Sequence, residues 1–135
     1  MREILFKAKR IDNGKWVEGY YQKRKDCYEC DEHLIFSCKS YRVWEYAEID
    51  PETLCQYTGV TDKNGTKIWE IDIVEIPSED DYFRVEWEED RACFLMNNDS
   101  FSVTFDNYWS YETEVIENVF DSAEFVANMR GEKND

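Results

Sequence analysis

Ile4, Phe6 and Ala8 alternate with Glu3, Lys7 and Lys9, the two-residue period of a half-buried strand. Asn13-Gly14 follows, the strongest short hairpin signal, and Trp16 to Gln22 reads as the returning strand. From Lys23 onward this regularity is lost: a loop is expected to about Glu32, then a short strand from His33 to Cys38. Tyr41, Val43, Trp44 and Tyr46 suggest another strand, and Asp50-Pro51 turns the chain.

The stretch from Cys55 to Ile76 is the most specific. Asp62-Lys63-Asn64-Gly65 lies between apolar runs, and Gly65 reaches positive φ at little steric cost, so a tight reversal is expected there. Ile68 and Trp69 lead into Ile71, Ile73, Val74 and Ile76, β-branched residues that pack well on a pleated surface. After an acidic turn at Pro77 to Asp81, the apolar Phe83, Val85 and Trp87 alternate with the charged Arg84, Glu86 and Glu88, which sends the two sets to opposite faces. Ala92 to Met96 returns, Asn97 to Asp99 turns again, and Phe101, Val103 and Phe105 follow. Asp106 to Tyr111 reads as an aromatic loop and Glu114 to Phe120 as a last strand. Asp121 and Glu124 have capping-box spacing, which predicts a helix of about two turns ending near Met129.

These elements predict a mainly β protein. The expectation is one domain over residues 1–135, with an N-terminal β-unit (1–54) packed on a small SH3-like barrel (55–121) and a short helix (122–130) at the end.

Composition sharpens this picture in two places. Aromatic residues make up 16% of the chain, so a thin β core can rest on Phe, Tyr and Trp. The charge is uneven: residues 70–124 hold 17 acidic side chains against only Arg84 and Arg91, so the entire net charge of −15 lies there. Such a surface repels phosphate backbones and disfavours direct nucleic-acid binding by that half, while suiting solubility or a basic partner. No apolar run approaches a bilayer span, and Met1 to Arg10 lacks a signal-peptide core, so no membrane association is expected and the expected location is the cytoplasm. Five cysteines without a secretory signal point to reduced thiols.

The central stretch also carries a family resemblance. Gln56-Tyr57-Thr58-Gly59, then Asp62-Lys63-Asn64-Gly65, then Glu70, Asp72, Ile73 and Val74 resemble the core motif of the YopX family, found in phages and prophages. The opening residues with Trp16 and Glu18, and Glu114-Val115-Ile116 with Asn118, resemble its two ends. The family usually has glycine where this chain has Ile71 and Glu117, and a β-branched residue at positive φ is strained by roughly 1 to 3 kcal/mol. The resemblance implies the SH3-like fold and a phage or prophage setting, with no established activity and no metal.

Four kinds of candidate chemistry can be weighed. Cys27, Cys30, His33 and Cys38 could supply three thiolates and an imidazole to Zn²⁺, although the spacing is not that of a common zinc finger. A redox role for Cys27 and Cys30 is disfavoured by Asp26, Glu29, Asp31 and Glu32, whose charges oppose thiolate formation. His33 is the sole histidine and nothing nearby in sequence orients it as a base; adjacent carboxylates such as Asp80-Asp81 and Glu89-Asp90 read as solvated turns. Tyr82, Phe105, Tyr108, Trp109 and Tyr111 could form a stacking platform for a peptide or basic protein, or serve as core and subunit interface. The expectation is therefore a protein without catalytic residues or cofactor that self-associates, with three alternatives: an acidic decoy for a host nucleic-acid-binding protein, a small zinc module, or an enzyme whose site has escaped notice.

Overall fold

The computed structural model describes residues 3–122. The expected helix over 122–130 lies, apart from Ser122, outside the described residues. The chain divides into two compact units, 1–57 and 58–135.

The first unit is built from β1 (Phe6–Lys9), β2 (Trp16–Lys25), β3 (Asp31–Ser40), β4 (Val43–Glu48) and the start of β5 (Cys55–Thr61). All pair antiparallel in the order β4-β3-β2-β1-β5. The first half of β2 pairs with β1 and the second half with β3, and Gly19 sits at the changeover. A Cβ there would clash with the Phe36 carbonyl, so only glycine lets the two backbones pass so closely. The core of this unit is Ala8, Ile35 and Ile49 with Phe6, Val17, Tyr21 and Leu54 against them.

The loop expected from Lys23 to Glu32 is instead the end of β2, a tight turn and the start of β3. Its residues alternate no apolar side chains because this ladder projects into solvent. Ion pairs across it hold the register: Arg24 to Glu32 at 3.0 Å, and Lys25 and Lys23 to Asp31 at 3.3 and 3.6 Å. The turn closes on Asp26, whose Oδ1 accepts the amides of Tyr28 and Cys30.

β5 runs on into the second unit, where β6 (Lys67–Trp69) is its neighbour. Five more strands follow: β7 (Asp72–Ile76), β8 (Asp81–Glu88), β9 (Cys93–Asn97), β10 (Ser102–Thr104) and β11 (Glu114–Asn118). They form a second antiparallel sheet in the order β10-β9-β8-β7-β11. Val74, Ile76, Phe83, Val85, Phe94 and Met96 face inward and form the core with Val60, Ile68 and Phe105.

The SH3-like barrel expected over 55–121 does not close among the described residues, which form open antiparallel sheets. β10 is only three residues long and pairs with β9 alone, and the start of β11 is engaged by the turn after β5. Lys63 N–H donates to Thr113 O at 3.0 Å, and Val115 N–H to Asp62 Oδ2 at 2.9 Å. The fold is thus mainly β with two open antiparallel sheets. No helix among the described residues is long and apolar enough to cross a membrane.

Candidate functional site

The four residues weighed as zinc ligands, Cys27, Cys30, His33 and Cys38, are spread along a hairpin. Cys27 and Cys30 are exposed at the β2–β3 turn, and Cys38 is exposed near the far end of β3. His33 and Cys38 stand five positions apart on extended strand, about 17 Å, and the odd spacing sends them to opposite faces. His33 is engaged elsewhere: its Nδ1 lies 2.6 Å from Tyr21 Oη, and the two rings stack. Among the described residues no three His, Cys, Asp or Glu side chains converge as a metal site would require.

The motif residues converge on the backbone. Asp62 is buried; its Oδ1 accepts the amides of Asn64 and Thr66, each at 2.9 Å, and its Oδ2 that of Val115. Gly65 completes the turn at φ 81°. Asp72 is also buried, accepting Trp69 N–H at 2.8 Å and Asn118 Nδ2 at 2.9 Å. Between them Ile71 has φ 59°, so the position at which the family pattern has glycine does demand the left-handed region. Glu117 has no positive φ; the β7–β11 register shifts between Val115 and Glu117 instead. Gln56, Tyr57, Gly59, Ile73 and Val74 are strand residues of β5 and β7.

The aromatic platform expected in the second unit is only partly assembled. Phe105 belongs to the core, and Trp109 packs against it while its Nε1 donates to Thr104 O. Tyr82, Tyr108 and Tyr111 are exposed. Tyr82 lies across from Glu75, whose charge, with that of Asp80, holds its phenol above the usual tyrosine range.

The more coherent aromatic surface is in the first unit, on the sheet face opposite Ala8 and Ile35. Tyr20 of β2, Phe36 of β3 and Tyr46 of β4 are directly opposed across the three strands, and Trp44 shares their face opposite Cys38. Phe36 and Tyr46 lie 5.7 Å apart by ring centroids, and Tyr20 and Trp44 5.9 Å. Arg24 stands over Tyr46, and farther along Lys7 and Lys9 stand over Trp16. Tyr20, Trp44 and Tyr46 remain 55%, 54% and 63% exposed. Sequence reasoning found these strands but not this face, because their partners come from registers that no local pattern states. The alternation of Trp44 with Tyr46 in an edge strand was the available signal.

The model of the family described as YopX protein matches residues 5–127. No curated protein matches the chain.

Proposed function

The chain belongs to the YopX family, and from that premise we propose that it is a phage or prophage accessory protein that acts in the bacterial host cytoplasm through protein contact and self-association, without catalysis. The observation that carries this reading is the face formed by Tyr20, Phe36, Trp44 and Tyr46. Four rings on adjacent strands make an apolar surface of the kind that contact sites use, with Arg24 at its border. The buried polar side chains support a non-catalytic reading: Thr53, Asp62, Asp72, Thr113 and Asn118 all hydrogen-bond to turn and strand backbone.

The test is sedimentation velocity of the full chain across a concentration series, compared with a Tyr20→Lys/Phe36→Lys double variant. Association by the parent chain that weakens at least about tenfold in the variant supports the reading, about 1.4 kcal/mol of contact energy. Equal behaviour of the two removes this face from the function.

A second reading concerns the second unit. Glu75 is directly opposite Glu114 across β7 and β11, a like-charge pair relieved in part by Lys63, 3.6 Å from Glu114. A basic protein partner would relieve it further, and binding of that kind would fall steeply with salt.

A further inference from the structure

We infer that the outward edge of β4 is a homotypic interface, at which two copies of this chain pair their β4 strands antiparallel about a twofold axis at Glu45. The inference rests on the self-association reading above and adds to the aromatic face the strand edge that borders it.

The backbone of β4 fixes which groups are available. Ile49 N–H donates to His33 O at 3.0 Å, so in the alternation of an antiparallel ladder Glu45 and Ala47 turn their backbone toward β3. Trp44, Tyr46 and Glu48 therefore turn theirs outward. The outward carbonyl of Glu48 is taken by Ile11 N–H at 3.1 Å. The N–H and C=O of Trp44 and Tyr46 remain, with no backbone partner among the described residues. An apolar edge with such a row of groups is a template for another strand. Val43, Trp44 and Tyr46 flank it, each at least 50% exposed.

The register follows from the same geometry. A twofold axis normal to the sheet keeps each face continuous only if opposed residues have the same parity. Centring on Glu45 sets Trp44 against Tyr46 of the second copy, twice, and engages all four free groups in two hydrogen-bonded pairs. Centring on Tyr46 would oppose Trp44 to Glu48, whose carbonyl is already bonded; centring on Trp44 would leave Tyr46 opposite Arg42, outside the strand. The Glu45 register also sets Val43 against Ala47, the last pair inside the strand. Its one unfavourable pair is Glu45 with itself, and Lys39 stands 3.1 Å from each Glu45 carboxylate.

Charge favours a second copy over a nucleic acid as the occupant. Residues 1–57 carry ten basic and eleven acidic side chains, so two such units meet without the repulsion that residues 70–124 would impose. The edge itself bears Glu45 and Glu48, which would repel phosphates. Pairing would join the two Tyr20–Phe36–Trp44–Tyr46 faces into one continuous aromatic surface.

The experiment uses the full chain with Cys27, Cys30 and Cys38 replaced by serine and Glu45→Cys introduced. Opposed Cβ atoms at a non-hydrogen-bonded pair are within reach of a disulfide, so mild oxidation should give a covalent dimer, while Glu48→Cys in the same background should not. Tyr46→Pro removes an outward N–H that no described group uses, and Trp44→Lys charges the edge. Each should shift the population to monomer with an unchanged circular dichroism spectrum. A parent dimer that neither cross-links at position 45 nor responds to these two variants would overturn the edge pairing and leave the contact reading standing. A monomeric parent would overturn both.

Discussion

Asn118 Nδ2 donates to Asp72 Oδ1 at 2.9 Å, a buried bond that joins the last strand to β7 across 46 residues of sequence. The same Asn118 caps the turn after β11 by accepting Phe120 N–H, and Asp72 accepts Trp69 N–H at the end of β6. Removing either side chain takes a buried hydrogen-bond partner from the other. Asp72→Ala is expected to cost about 3 kcal/mol and Asn118→Ala about 2, with a coupling of about 1 to 2 in the double variant. Urea unfolding of the four proteins measures this; additive losses would show that the two groups act independently.

Asp62 presents three acceptor contacts to backbone amides of two separate segments. Asp62→Ala is expected to destabilise the second unit by about 3 kcal/mol, and Asp62→Asn by less, because the amide keeps one acceptor oxygen. Hydrogen exchange is the discriminating readout. The amides of Asn64, Thr66 and Val115 should lose protection together in Asp62→Ala, since all three donate to this carboxylate.

Ile71 holds a conformation that a β-branched residue resists, and it is held there from both sides. Its N–H donates to Val85 O at 2.6 Å, and its C=O accepts Val119 N–H. Glycine relieves the left-handed strain but loses a half-buried side chain and adds unfolded-state entropy. The strain term is the larger, so Ile71→Gly should raise stability by about 1 kcal/mol or leave it unchanged. A thermal midpoint lowered by several degrees would place the side-chain packing above the backbone cost.

Tyr82 titrates late because Glu75, first, and Asp80 oppose its phenolate. The folded value lies above the unfolded one. The associated stability is therefore fully present below the ordinary tyrosine range, and is lost as the pH rises through the folded value. Carbon-13 shifts of the tyrosines between pH 9 and 12 should show Tyr82 ionising above the ordinary tyrosine range, and Glu75→Gln should bring it down. No change in Glu75→Gln would assign the shift to another cause.

Much of this fold was legible from spacing. Phe83, Val85 and Trp87 alternate as β8 requires, and Asn13-Gly14 and Asp62 to Gly65 turn where expected. The hairpin tip around Cys27 was not legible, because charged pairs such as Arg24 with Glu32 hold it and charge pairing leaves no apolar period. The SH3-like barrel expected over 55–121 rested on local strands and turns, and the engagement of Val115 by Asp62, 53 residues away, is one that no local pattern announces. Asp62 and Asp72 were visible as motif residues, but their roles as buried backbone acceptors emerge only from the folded chain. The aromatic face was hidden for the same reason. Tyr20, Phe36 and Tyr46 are unremarkable singly and become a surface only through two strand registers.

The measurement that bears most directly on the contact reading is the molar mass of the purified full chain by light scattering, at low and at high salt. An interface of paired strands and aromatic rings predicts twice the 16.3 kDa chain mass in both. A mass of one chain in both conditions, or a dimer that dissociates as salt rises, would contradict it.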